Sequence, residues 1–122
     1  VIVIGANKDD YDDYPDCRPE YIKAIQNVFR IACRRNISVW APLIGMTKAE
    51  VVAEAVKLRV PLEKTISCYK PRDRTPCGTC NACLLRKRAY EANGLEFKLE
   101  RLEVDFGESK PWEKLTERTE RA

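Results

Sequence analysis

Four cysteines fall between positions 68 and 83: Cys68, then Cys77, Cys80 and Cys83 at a repeated spacing of three. A zinc ion takes four ligands in a tetrahedron, with sulfur at about 2.3 Å, and four thiolates close it. The Cys77–Cys80 turn aims two sulfurs at one point, and Gly78 between them tolerates the backbone angles of a tight reversal. A helix beginning near Thr79 places Cys80 and Cys83 at i and i+3 on one face. Cys68 then returns from a loop as the fourth corner. Such a site has no open position for water, so it holds structure and does no chemistry. The chain contains no histidine, the ligand most catalytic zinc sites use. The competing arrangement is a set of disulfides, which six cysteines in 122 residues would suit in a small secreted scaffold. Against it, Cys17 and Cys33 stand apart from the cluster. The chain also opens on the short apolar run Val1–Ile4 and not on a cleavable signal. The cluster reads as a structural zinc site.

The elements that must position these sulfurs alternate between strand and helix. Val1–Ile4 is a β-branched run ending at Gly5, the pattern of a buried strand emptying into a loop. Segment 6–18 is polar and acidic, with five aspartates interleaved with Tyr11 and Tyr14. Pro19 and Glu20 open a helix, where proline loses no needed N–H and an acid meets the positive end of the dipole. Its apolar residues Ile22, Ile25, Val28, Phe29 and Ala32 keep helical spacing, and Arg34, Arg35 and Asn36 close it. Ile37–Ala41 predicts a second strand, ended by Pro42. Thr47 and Glu50 form a capping box for a helix from Lys48 to Leu58 that buries Val51, Val52 and Ala55. A last helix spans Cys80–Asn93, with Leu84 and Leu85 inward and Gly94 as its stop. Beyond it, Phe97, Leu99 and Leu102 or Val104 alternate as in a strand, unless the segment starts a fresh helix, and from Glu108 the chain reads as a charged tail.

Composition sets the outer limits. A hydrophobic content of 44% and a charged content of 34% fit a soluble globular domain. The longest uncharged run, Ile37 to Thr47, is far too short for a membrane span and contains Pro42 and Gly45. A net charge of +3 does not by itself argue for nucleic acid. Lys70, Arg72, Arg74, Arg86, Lys87 and Arg88 do gather around the cysteines, as a face for phosphate or as a solvated basic surface. Parallel strands joined by helices imply an α/β sheet whose ligands sit at the carboxyl ends of its strands, which marks segment 6–18 as the binding loop. Two strands make a poor sheet, and most apolar helix faces lack a partner. A truncated piece of a larger domain, or a sheet completed by another molecule, is expected.

Four motifs, in order, resemble the 7-cyano-7-deazaguanine synthase family, the nitrile-forming enzymes of queuosine and archaeosine biosynthesis. They are Tyr14 to Ile22 (YPDCRPEYI), Pro42-Leu43 with Met46 to Glu50 (MTKAE), Thr65 to Tyr69 (TISCY), and Pro76 to Arg86 (PCGTCNACLLR). The likeness spans about Val1 to Gly94, roughly three-quarters of the chain, and leaves residues 95–122 outside it. It implies an α/β fold, the C-terminal part of a Rossmann-like (adenine nucleotide alpha hydrolase-like, PP-loop ATP pyrophosphatase) parallel sheet with a four-cysteine zinc-binding helical region. The division expected is 1–63 as a partial Rossmann-like segment, 64–94 as zinc-binding loop and helix, and 95–122 as tail. The resemblance further implies one structural Zn²⁺, ATP with Mg²⁺ in the complete enzyme, 7-carboxy-7-deazaguanine and ammonia as co-substrates, a homodimer and a cytoplasmic location. Neither membrane nor nucleic acid is an expected partner.

One departure matters. The family's nucleotide site rests on an SGGxDS-like loop whose backbone N–H groups cradle phosphate. The five glycines here, Gly5, Gly45, Gly78, Gly94 and Gly107, are all isolated. The chain thus resembles the C-terminal half, expected to await an N-terminal PP-loop half and to be inactive alone. Within the binding loop, the guanidinium of Arg18 suits a substrate carboxylate or a phosphate. Asp16 suits a guanine-like edge or a metal accompanying ATP, and Tyr14 suits stacking on the deazapurine. The structural alternatives are a helix-capping Asp16–Arg18 pair and a packed Tyr14. Cys17 has no histidine as base and reads as a small buried side chain. Lys48 reads as a surface residue with phosphate contact the lesser option, Thr65 and Ser67 as shaping the loop, and Arg86 as an anion contact or a donor to the thiolates. Two other functions fit less well: a tRNA-thiolating relative with one or two reactive cysteines, and a non-catalytic RNA-binding zinc module.

Overall fold

Two apolar segments distant in sequence, β1 (Ile2–Val3) and β2 (Val39–Trp40), pair in parallel with Ile2 opposite Val39 and Val3 opposite Trp40. This computed structural model describes residues 1–103. The pairing is carried by Ile2 N–H to Ser38 O at 2.7 Å and Ile4 N–H to Trp40 O at 2.9 Å. A parallel pair needs a crossover, supplied here by α1 (Pro19–Ala32). Gln26 of α1 locks the crossover to the strand: its amide donates to Ile37 O and accepts from Val39 N–H.

Proline at the first turn of α1 and Glu20 beside it start the helix as its sequence predicts, and Cys33 caps its end. The helix buries none of its residues, however. Ile22, Ile25 and Phe29 are half-buried, while Val28 is exposed and Ile31 is 70% exposed. The strands are similarly uncovered, Val3 at 61% and Trp40 at 59% exposure.

The core lies instead between α2 (Lys48–Lys57) and α3 (Asn81–Ala92), where Val52, Ala89 and Tyr90 are buried against Ala49, Leu62, Leu95 and Phe97. The capping box of α2 is complete. Thr47 Oγ1 accepts from Glu50 N–H, and Glu50 accepts from Thr47 N–H at 2.7 Å. The expected inward set on α2 resolves into Val52 buried and Val51 and Ala55 half-buried.

On α3 the expectation of an inward Leu84 is overturned, because that side chain is 40% exposed. The helix turns Cys83, Ala89 and Tyr90 inward, and Leu84 sits one step off that stripe. Gly94, at φ +67°, ends α3, and Leu95 N–H bonds back to Tyr90 O at 2.9 Å. The chain then reverses so that Phe97 meets Tyr90 edge-on at 6.0 Å. Residues 95–103 form neither strand nor helix. They lie along the cysteine region, with Leu102 N–H bonded to Arg74 O at 3.1 Å. The part of the expected tail from Val104 onward lies outside the described residues. No helix among the described residues is long and apolar enough to cross a membrane.

Candidate metal centre

The four sulfurs are brought together by three backbone devices. Between Cys77 and Cys80 the chain reverses at Gly78, whose φ is +74°. Cys80 N–H donates to Cys77 Sγ at 3.3 Å, and the Thr79 hydroxyl lies 3.6 Å from the same sulfur. Cys80 is the N-cap of α3 with extended backbone angles, so Cys83 stands on the first turn, 1% exposed. Cys68 enters from the loop after α2 and accepts from Lys70 N–H at 3.3 Å and Cys77 N–H at 3.2 Å. Between them Arg72 and Thr75 exchange two backbone bonds across a tight hairpin with positive φ at both Asp73 and Arg74.

All four Sγ atoms lie within 4.8 Å of one another. A tetrahedron with metal–sulfur bonds of about 2.3 Å has sulfur–sulfur edges of about 3.8 Å, so a small contraction closes the set on one ion. The protonation pattern fits the same use. Backbone N–H groups, that of Thr79 first and Cys80 next, bring the Cys77 thiol down to about 5. The Tyr69 and Cys83 N–H groups lower Cys80. Burial pushes Cys83 up to about 12. A buried sulfur beside thiolates gives up its proton when a cation arrives to share its charge. All six thiols are free, with none joined in a disulfide. This donor set fits a thiophilic divalent ion such as zinc.

Of the binding-loop residues expected to meet substrate, Tyr14 alone borders the cysteine region. Its ring stacks on Tyr69, with centroids 5.7 Å apart and planes at 29°. Beside the pair lies a cavity of about 420 Å³, bounded among others by Asp10, Tyr14, Lys48, Ser67, Cys68 and Tyr69. Asp16 and Arg18 do not border it. Asp16 is exposed on a short 3₁₀ turn, Pro15–Cys17. Arg18 is half-buried, its Nε donating to Tyr11 O at 2.7 Å. The alternative of an Asp16–Arg18 capping pair is not realised, since the α1 N-cap has no side-chain bond. Cys17 is half-buried and its thiol is pushed up by burial, then by Asp10 and Asp16.

Other residues hold the loop without having been singled out by the sequence. Asp9 accepts from Lys48 N–H at 2.7 Å, fixing the loop to the start of α2. Asn7 is 2% exposed and bonds both the Asp10 side chain and Asp9 N–H. Asn81, on the first turn of α3, donates to Asp13. An asparagine in a polar loop favours an Asx turn, its side chain accepting the backbone N–H two residues on, so Asn7 had a local signal. The Asp9–Lys48 and Asp13–Asn81 contacts had none. Arg86 is turned to oxygen and not to sulfur: it bonds Ser67, Thr65, Leu62 O and Tyr90, so of its two expected roles, anion contact or donor to the thiolates, the second is not realised.

The family model described as queuosine biosynthesis protein QueC matches residues 1–94, a stretch holding all four clustered cysteines and the whole of segment 6–18. The chain belongs to the QueC family. A 7-cyano-7-deazaguanine synthase of Prochlorococcus marinus (strain NATL1A) is 41% identical over 100 residues, covering 78% of this chain and 44% of that protein. That of Trichodesmium erythraeum is 46% identical over 99 residues, covering 77% and 44%. The Leptospira interrogans (serovar copenhageni) protein of the same name is 39% identical over 102 residues, covering 80% and 42%. The chain spans about half the length of the curated relatives it matches. The QueC match ends at Gly94, at the stop of α3.

Proposed function

We propose that this chain is the zinc-bearing C-terminal part of a 7-cyano-7-deazaguanine synthase. The complete enzyme converts 7-carboxy-7-deazaguanine, ammonia and ATP into the nitrile. The observation that carries the reading is the convergence of Cys68, Cys77, Cys80 and Cys83 within 4.8 Å in a chain matched by the QueC family over residues 1–94.

The chemistry explains why ATP is needed. A carboxylate is a poor electrophile because its oxyanion cannot leave. Transfer of AMP to the carboxylate releases pyrophosphate and creates a leaving group. Ammonia displaces AMP to give the amide, shedding a proton. A second adenylation, on the amide oxygen, lets that oxygen depart with AMP as the C≡N bond forms and the nitrogen loses its protons. The nucleotide-binding loop belongs to the part of the relatives not spanned here, with Mg²⁺ accompanying ATP there. On this chain Tyr14, Asp16 and Arg18 contact substrate from the loop after β1, the carboxyl end of a strand, where α/β sheets bind ligands. A bound zinc supplies cross-linking of the loop to α3 and no reaction step, since four thiolates leave it closed.

The open faces of the sheet and α1 support a Rossmann-like domain completed from outside this segment. Parallel strands are covered on both faces in stable folds, yet Val3, Trp40, Val28 and Ile31 are exposed here. A homodimer and a cytoplasmic location belong to the same proposal, as does the division into 1–63, 64–94 and 95–122. The tRNA-thiolating alternative needs one or two reactive cysteines, and the upward shift of Cys17 speaks against that residue.

The test is reconstitution. The PP-loop half of a matched relative is co-expressed with this chain, and 7-carboxy-7-deazaguanine, ammonium and ATP are supplied. ATP-dependent appearance of the nitrile mass, absent with either half alone, is expected. A soluble complex that binds ATP yet leaves the carboxylate untouched would contradict the assignment.

A further inference from the structure

Arg86 sits on α3 three residues past Cys83 and four before Tyr90, on the face that turns inward. Its guanidinium reaches across to the loop that delivers Cys68. Nη1 donates to Ser67 Oγ at 3.1 Å, and Nη2 to Leu62 O at 2.8 Å, Thr65 Oγ1 at 2.7 Å and Tyr90 Oη at 2.6 Å. The two N–H groups of Nη2 are thus shared among three oxygens. Its carbon lies 4.9 Å from the centre of the Tyr90 ring. No carboxylate among the described residues forms an ion pair with it, so the side chain works as a hydrogen-bonding strut between neutral groups.

The loop needs such a strut. Backbone bonds within 60–65 are local, Leu62 N–H to Val60 O, Lys64 N–H to Pro61 O and Thr65 N–H to Leu62 O. Ile66 and Ser67 make no backbone–backbone bond to the described residues. Cys77, Cys80 and Cys83 are pre-positioned by one turn and one helix, whereas Cys68 comes from a separate stretch of chain. Resting on the metal-centre reading above, we infer that Arg86 is a positioning residue that fixes the fourth ligand, Cys68, by tying Thr65 and Ser67 to the helix carrying Cys83.

Outer partners of metal ligands are typically worth about 10–100-fold in metal affinity. The full chain is loaded with zinc, its affinity is measured by competition with a chromophoric chelator, and the cysteines are mapped by timed alkylation and mass spectrometry. Arg86→Ala is expected to weaken zinc by about tenfold, the low end of that range, since Arg86 bonds the neighbour of Cys68 and not its sulfur. Cys68 becomes alkylated first while Cys77, Cys80 and Cys83 stay protected, a selectivity that general unfolding would not give. Arg86→Lys does not rescue, because one ammonium cannot span Ser67, Thr65 and Leu62 O as the planar fork does. The double variant Thr65→Val/Ser67→Ala removes the two loop hydroxyls and leaves Arg86 and its bond to Leu62 O in place. It is expected to shift affinity and Cys68 labelling the same way, and it decides the matter if Arg86→Ala fails to fold. Wild-type affinity and labelling order in these variants, or simultaneous exposure of all four cysteines, overturns the inference alone. A wild-type chain that takes up no zinc removes the metal-centre reading and this inference with it.

Discussion

Tyr14 and Tyr69 stack with ring centroids 5.7 Å apart, joining the loop after the first strand to the residue that follows Cys68. With the Asp13–Asn81 hydrogen bond, the stack makes two ties between segment 6–18 and the cysteine region. The loop proposed to meet substrate is therefore braced on the element proposed to hold zinc. An aromatic pair is worth about 0.5–1.5 kcal/mol beyond its buried area. A double-mutant cycle with Tyr14→Ala and Tyr69→Ala, followed by urea unfolding, is expected to show coupling of that size. Strictly additive losses would mean the rings do not support one another.

Gly78 is the backbone position on which the Cys77–Cys80 turn depends. Its φ of +74° belongs to the left-handed region, and a Cβ there would stand 2.9 Å from Leu99 Cδ1. The Leu99 side chain can yield, so backbone strain decides the outcome, at about 1–2 kcal/mol. Gly78→Ala is expected to lower the melting temperature of the zinc-loaded chain and weaken its zinc binding together. An unchanged affinity would show that the turn tolerates a side chain.

Removal of zinc should destabilise the chain in proportion to binding, by about 4 kcal/mol when free zinc had stood a thousandfold above its Kd. Thermal unfolding with and without a chelator, at several zinc concentrations, reads this directly. A melting temperature independent of zinc would contradict it.

The start of α2 carries a pH dependence. The Glu50 carboxyl is held below its usual range, first by Thr47 N–H and then by the Thr47 hydroxyl. A depressed folded-state value gives stabilisation that is complete above the unfolded value and is lost as pH falls through the folded one. Between neutral pH and the acid range, wild type is expected to lose more stability than Glu50→Gln, which keeps the capping geometry without titrating. Parallel losses in urea midpoint would exclude the effect.

The exposed apolar face of α1 and the sheet makes a solubility prediction. Ile31 is 70% exposed, so Ile31→Glu should change the stability of this chain by no more than about 0.5 kcal/mol. It should still reduce self-association and impair reconstitution with the PP-loop half. Light scattering and complex formation measure the two effects, and full reconstitution by the variant would place the proposed PP-loop half against another surface.

What could be read from the sequence was local. Pro19 with Glu20, and Thr47 with Glu50, fix helix starts through bonds within one turn, and both helices begin where those residues say. The ligand spacing of Cys77, Cys80 and Cys83 is likewise a short-range fact. Contacts such as Asp9–Lys48, Tyr14–Tyr69 and Arg86–Ser67 depend on how distant segments dock, and no periodicity encodes them. The rotation of α3 departs from expectation for a related reason. Leu84 looks like core by hydrophobicity, but the cysteine cluster sets the inward face and turns Leu84 outward. Alternation at Phe97 and Leu99 suggests a strand, yet those side chains pack on Tyr90 and against Gly78 with no neighbouring strand to pair among the described residues.

The most direct test of the central claim is metal content with a thiol count, on chain purified without chelator. One zinc per chain, with Cys68, Cys77, Cys80 and Cys83 protected from alkylation by the metal and Cys17 and Cys33 counted as free thiols without it, is the predicted result. A chain without zinc, or one whose four clustered cysteines are paired as disulfides, would contradict it.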